Sequence, residues 1–122
     1  MFKRDILFHL ERWKDDTHRK PLILRGARQV GKTTVVNEFG KQFDNYLYLN
    51  LEKREAASLF ELNVSLKDLM PLFFAHCGKI RNEGTILLFI DEIQNSAKAV
   101  ALLRYFYEEL PDICLLYTSD AA

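Results

Sequence analysis

Residues 26–33 read Gly26-Ala27-Arg28-Gln29-Val30-Gly31-Lys32-Thr33 and match the pattern G-x-x-x-x-G-K-(S/T). The apolar run Leu22-Ile23-Leu24 precedes them, and a helical pattern begins at Lys32. A buried strand, a glycine-bounded loop and a helix in this order bring backbone N–H groups and a helix N-terminus toward an anion. The stretch therefore predicts a phosphate-binding loop in a parallel α/β sheet.

Each residue type in this loop has a physical role. The glycines let the backbone fold closely around a phosphate. Lys32 is predicted to reach the β- and γ-phosphates of a nucleotide, and the Thr33 hydroxyl is predicted to bind Mg²⁺. Thr34 is predicted to contact the α-phosphate. The other predicted phosphate contacts come from Gly26, Ala27, Arg28, Gln29, Val30 and Gly31.

A second motif is the apolar run Ile86–Ile90, which ends in Asp91-Glu92. At the C-terminal end of a parallel strand, these carboxylates would face the crevice in which α/β sheets bind ligands. Asp91 is predicted to hold Mg²⁺ opposite Thr33. Glu92 is predicted to act as a general base on the water that attacks the γ-phosphorus.

The two motifs together favour ATP hydrolysis over other nucleotide chemistry. The chain contains no Asn-Lys-x-Asp motif of the kind that reads guanine. Small-molecule P-loop kinases generally lack a Glu after the strand-end Asp, so Glu92 disfavours a kinase. A regulatory module that binds ATP without useful turnover stays open as an alternative.

The rest of the chain fits an α/β domain with alternating strands and helices. Amphipathic helices are predicted over residues 2–14, 65–82 and 96–110, and strands over 46–51, 85–90 and 113–117. Ser65 and Ser96 are predicted N-caps. The apolar stripe of the 65–82 helix is predicted to include Ile80, and the inner face of the 96–110 helix is predicted to include Val100 and Tyr107. His9 falls in an apolar stripe and is predicted to be a core or rim residue. Asn50 and Glu52 end the second strand and are weaker candidates for the site.

Composition excludes several classes of protein. Of the 122 residues, 48% are hydrophobic and 12% aromatic, which disfavours disorder. Seventeen basic residues balance seventeen acidic ones, so no whole-chain basic field for nucleic acid exists. Two cysteines are too few for a disulfide scaffold. With no membrane or targeting segment recognised, the expected location is cytoplasmic.

Three segments together resemble a widespread prokaryotic family of AAA-type P-loop ATPases. They are Arg25–Thr34, Tyr48–Glu52 and Phe89–Gln94. The resemblance implies a three-layer α/β/α fold, ATP and Mg²⁺ as ligands, phosphate contacts at Gly26–Thr34, and Asp91 and Glu92 at the metal and water. Family members usually carry a C-terminal restriction-endonuclease-like domain, so the remainder of the same chain is an expected partner. An oligomer and a nucleic-acid partner stay open.

The chain is predicted to consist of three segments. Residues 1–20 form an N-terminal amphipathic helix and connector, and residues 21–113 form a truncated AAA-type core. Residues 114–122 look like a non-native tail. Thr118 falls where family members carry a polar sensor residue, and this match is accidental if the tail is foreign. In the AAA-type strand order, Ile113–Tyr117 would fill the position between the loop-bearing strand and the Asp91 strand.

Overall fold

The computed structural model describes residues 2–25 and 31–120, in which helices and strands alternate. In chain order the elements are α1 (Phe2–Asp15), β1 (Leu22–Leu24), α2 (Lys32–Gly40), β2 (Asn45–Asn50), α3 (Arg54–Leu59), α4 (Leu66–His76), β3 (Ile86–Asp91), α5 (Ala97–Glu109) and β4 (Ile113–Thr118). A 3₁₀ turn, Ile93–Asn95, joins β3 to α5.

The four strands form one parallel sheet in the order β1-β4-β3-β2. This confirms the predicted α/β class, and β4 occupies the predicted position between β1 and β3. Residues 114–118, in the segment interpreted as a non-native tail, therefore lie in a strand paired on both sides. The register places Asn50 beside Asp91 and Leu24 beside Thr118, so the C-terminal strand ends meet at one edge.

Helices cover both faces of the sheet, which gives three layers. On β3, Ile86, Leu88 and Ile90 pack in the core that α3, α4 and α5 cover. Leu87 and Phe89 point to the opposite face, which α1 and α2 cover. Because β3 is buried on both faces, its sequence is a continuous apolar run rather than an alternating one.

Helix α4 shows where the sequence pattern was right and where it was wrong. Its predicted N-cap is confirmed, because Ser65 Oγ accepts a hydrogen bond from the Asp68 N–H at 3.2 Å. The helix ends at His76 rather than near residue 82, because Gly78 adopts a φ of 67°. The Lys79 N–H then bonds to Phe74 O, which closes a Schellman motif.

Helices α4 and α5 bury fewer apolar residues than the sequence pattern predicts. Ile80, assigned to the α4 stripe, lies beyond the helix and is 89% exposed. In α5 the buried residues are Ala99 and Phe106, whereas Val100 and Tyr107, predicted on the inner face, are exposed. His9 is exposed as well, so its interpretation as a core or rim residue was wrong.

No helix in residues 2–25 or 31–120 is long and apolar enough to cross a membrane.

Candidate functional site

The N-terminus of α2 carries the described part of the predicted phosphate loop. Gly26, Ala27, Arg28, Gln29 and Val30 lie outside the described residues, and Gly31, Lys32, Thr33 and Thr34 lie within them. Gly31 caps α2 with φ 121° and ψ −22°, and its carbonyl accepts from the Val35 N–H at 2.8 Å.

Backbone conformation, rather than space, explains the glycine at position 31. A Cβ there would meet no atom within 4 Å, but a φ of 121° is strained for any residue with a side chain. The α2 N-terminus has no side-chain cap, and its first turn contains no acidic residue. The first N–H groups of a helix have no partner within the helix, and the helix dipole favours negative charge there. This end of α2 is therefore suited to an anion.

Asp91, at the end of β3, binds hydroxyl groups from both neighbouring strands. Tyr48 on β2 donates from its hydroxyl to Asp91 Oδ2 at 2.7 Å. Thr118 on β4 donates from its hydroxyl to Asp91 Oδ1. The carboxylate is half-buried and is held through both of its oxygens.

Tyr48 connects Asp91 to the phosphate loop, because its hydroxyl also interacts with the Thr33 side chain. Burial is the largest cause of the raised pKa of Tyr48, followed by its hydrogen bond to the Asp91 carboxylate. The contact with Thr33 lowers that pKa, as expected when Thr33 donates to the Tyr48 oxygen. The folded chain thus brings Thr33 and Asp91, distant in sequence, to opposite sides of one hydroxyl.

Glu92 has a left-handed backbone, with φ 57° and ψ 52°, which is uncommon for a residue other than glycine. Its N–H donates to the Thr118 hydroxyl at 2.9 Å. Gln94 Nε2 donates to Glu92 Oε1 at 2.7 Å, while Gln94 Oε1 is buried with no hydrogen-bond partner among residues 2–25 and 31–120. Strain and an unpaired buried oxygen beside a carboxylate are typical of functional sites.

The weaker candidates on β2 have local structural roles. Asn50 lies beside Asp91 in the sheet register, and its Oδ1 accepts from the Glu52 N–H at 3.0 Å. The Leu51 N–H continues the ladder to Asp91 O at 3.0 Å. Asn50 therefore caps the end of its strand, and the Glu52 side chain is exposed.

The donor set at this edge suits Mg²⁺. Mg²⁺ prefers oxygen ligands and in nucleotide sites keeps several waters besides one or two protein ligands. Thr33 supplies a hydroxyl and Asp91 a carboxylate, both in contact with the same Tyr48 oxygen. Among residues 2–25 and 31–120, no group of three or more His, Cys, Asp and Glu side chains could hold a metal by itself. A magnesium ion here would therefore depend on nucleotide phosphates for further ligands.

Two contributors to this edge were not predicted as site residues from the sequence. Tyr48 and Gln94 were named only as the ends of the segments Tyr48–Glu52 and Phe89–Gln94. A signal for Tyr48 exists, because Tyr46 and Tyr48 alternate with the buried leucines Leu47 and Leu49. Such alternation places both phenols on the α2 side of the sheet.

Comparison with known proteins gives one family. A family model described as "AAA domain" matches residues 18–121, which is more than half of the chain. No curated protein and no solved structure matches the chain.

Proposed function

The chain belongs to the AAA domain family, and from this premise we propose that residues 26–34 bind the phosphates of ATP with Mg²⁺ and that the domain hydrolyses the nucleotide. The family supports nucleotide binding in general. The choice of ATP, the metal and hydrolysis rests on the two motifs and on the arrangement of their described residues.

Phosphate binding is assigned to the loop and the first turn of α2. In this proposal the N–H groups at the start of α2 donate to the phosphates, together with the loop of residues 26–31. The Lys32 ammonium binds the β- and γ-phosphates, and Thr34 contacts the α-phosphate. Gly31 supplies the positive φ that the loop needs to enter the helix.

Thr33 and Asp91 hold the metal in this proposal. When bound, Mg²⁺ neutralises charge on the phosphate oxygens and orients the γ-phosphate. Thr118 orients the Asp91 carboxylate by donating to Oδ1, and the same hydroxyl accepts from the Glu92 N–H. One threonine thereby positions the metal ligand and the backbone of the following glutamate.

Glu92 acts as the general base for the attacking water. Its carboxylate lies at the C-terminal edge of the sheet beside the predicted metal ligand Asp91. Gln94 restrains that carboxylate through Oε1, which leaves Oε2 to accept a proton. The single observation that carries the proposal is the contact of Thr33 and Asp91 with one Tyr48 hydroxyl, because it brings both motifs to one point.

A nucleotide-binding module without turnover is the second candidate. The Gln94–Glu92 hydrogen bond favours it, since a carboxylate engaged by an amide is a less available base. The deciding experiment follows the γ-phosphate of radiolabelled ATP at equal Mg²⁺. Release as inorganic phosphate supports the ATPase, binding without release supports the module, and transfer to a small acceptor supports a P-loop kinase.

A further inference from the structure

We propose that Tyr48 is a gate for the metal: its hydroxyl occupies the contact between Thr33 and Asp91 and must withdraw from them when Mg²⁺ binds. This inference rests on the proposed function, because it takes Thr33 and Asp91 as the metal ligands. It goes further by assigning to Tyr48 a role in metal loading.

The Tyr48 hydroxyl has contacts of opposite polarity on its two sides. Tyr48 donates its only hydroxyl proton to Asp91 Oδ2 at 2.7 Å, and its oxygen also interacts with the Thr33 side chain. One hydroxyl thus offers a positive hydrogen to the carboxylate and an acceptor oxygen to the threonine. Both polar groups are thereby satisfied, which a partly buried pair requires.

The Tyr48 hydroxyl and a bound Mg²⁺ would compete for the same space beside Asp91. Mg²⁺ requires ligand oxygens at about 2.0–2.1 Å in near-octahedral geometry. Tyr48 already occupies Asp91 Oδ2, and Thr118 occupies Oδ1. An ion that contacts both Thr33 and Asp91 must enter the space between them that the Tyr48 hydroxyl occupies. The hydrogen bonds of Tyr48 therefore oppose metal binding.

The Tyr48 ring is held by packing that does not depend on its hydroxyl. It packs on Phe89 with ring centroids 5.2 Å apart, and Tyr48 pairs with Phe89 in the β2–β3 register. Loss of the hydroxyl would leave this ring contact in place. A Tyr48→Phe change therefore separates the gate from the packing of the sheet.

Tyr46 provides a matched control on the same strand. It lies two residues earlier, on the same face, and its hydroxyl donates to Asn37 Oδ1 at 2.5 Å. A Tyr46→Phe change removes a phenol hydroxyl and its hydrogen bond without touching Thr33 or Asp91.

The test measures ATP affinity by calorimetry with Mg²⁺ and with EDTA for the parent, Tyr48→Phe and Tyr46→Phe. We expect Tyr48→Phe to increase the ratio of affinities with and without Mg²⁺ by about tenfold, the size expected when a hydrogen bond to a charged group no longer competes. With EDTA its affinity should equal that of the parent. Tyr46→Phe should keep the parent's ratio.

The outcomes distinguish the two proposals. A parent that binds no ATP, or binds it equally with and without Mg²⁺, overturns the metal site and the gate together. A parent that depends on Mg²⁺, with Tyr48→Phe unchanged or weaker in Mg²⁺, overturns the gate alone, because the hydroxyl then supports the ligands.

A second measurement tests the gate even if the Tyr48→Phe variant does not fold. Adding Mg²⁺ to the ATP complex should change the near-ultraviolet tyrosine absorbance of both the parent and Tyr46→Phe, because the Tyr48 hydroxyl changes partners. An ATP complex that binds Mg²⁺ without any such change contradicts the gate.

Discussion

Gln94 restrains Glu92 across a single turn: Nε2 of Gln94 lies 2.7 Å from Oε1 of Glu92, two residues earlier in the chain. The left-handed backbone of Glu92 begins the 3₁₀ turn in which Gln94 lies. The strained residue is thus fixed by its neighbour's amide and, through its N–H, by Thr118. A carboxylate held on one oxygen at the edge of the sheet is consistent with the proposed general base.

We expect Glu92→Gln to retain ATP binding and to slow hydrolysis by about 10²–10⁴-fold, the range for loss of a general base. An amide carbonyl at this position can still accept from Gln94, so the change removes the proton acceptor and keeps the shape. Single-turnover release of phosphate from radiolabelled ATP gives the rate, and calorimetry gives the affinity.

Glu108→Gln is the control for this change. Glu108 forms an exposed ion pair with Arg104 in α5. The C-terminal end of α5 leads to the edge of the sheet opposite the candidate site. Its loss should leave the rate within about twofold, since exposed pairs contribute little. If Glu92→Gln turned over at the parent's rate, Glu92 would be a structural strand-end residue.

The main features of the fold could be predicted from the sequence because they depend on local patterns. The strand Leu22–Leu24 was predicted with the correct bounds, although its residues are half-buried rather than buried. The predicted N-caps Ser65 and Ser96 both accept hydrogen bonds from the following turn. Helix α4 was predicted too long because the conformation of Gly78, rather than the apolar spacing, ends it.

The contacts of the candidate site could not be predicted in the same way. The bond from Tyr48 to Asp91 depends on the β2–β3 register, which pairs Tyr48 with Phe89 and Asn50 with Asp91. A shift by one residue would send the phenol to the other face of the sheet. The motifs predicted which residue types do the chemistry, whereas the register determines which neighbours support them.

We expect Lys32→Ala to weaken Mg²⁺-ATP binding by about 10- to 100-fold, because the phosphates lose a charge-assisted hydrogen bond. Lys41→Ala is the control at the opposite end of the same helix. Lys41 is exposed and pairs with Glu38 at 3.1 Å. Its affinity should stay near that of the parent. Equal calorimetric affinities for Lys32→Ala and the parent would refute the phosphate site.

We expect Ser96→Ala to lower the free energy of unfolding by about 0.5–2 kcal/mol, the usual cost of losing an N-cap. Ser96 is buried, and its Oγ accepts from the Ala99 N–H at 3.1 Å. Ser58→Ala, which removes an exposed hydroxyl bonded to Glu55 O at 2.9 Å, should change stability by less than about 0.5 kcal/mol. Urea denaturation measures both, and equal losses would mean that the cap contributes no more than an ordinary surface hydroxyl.

Ionisation of the Cys114 thiol is expected to lower the stability of the fold at alkaline pH. Cys114 lies in β4 and is 3% exposed, and burial raises the pKa of its thiol above the ordinary value of 9.0. The nearby cations of Arg19 and Lys14 lower that pKa by less than burial raises it. Below about pH 9 the thiol is protonated in both states, so its contribution to stability is complete.

As the pH rises above 9, the unfolded chain loses the Cys114 proton first, and the folded state is destabilised progressively. We expect the melting temperature of the parent to fall between pH 8 and pH 10.5, and we expect Cys114→Ala to show a smaller fall over the same interval. The fall should not vanish, because burial also raises the pKa of Cys77, Tyr46 and Tyr48. Comparing each protein with itself at the two pH values cancels the constant cost of the cavity that alanine leaves. An equal fall in the parent and the variant would show that ionisation of Cys114 does not contribute to the alkaline loss of stability.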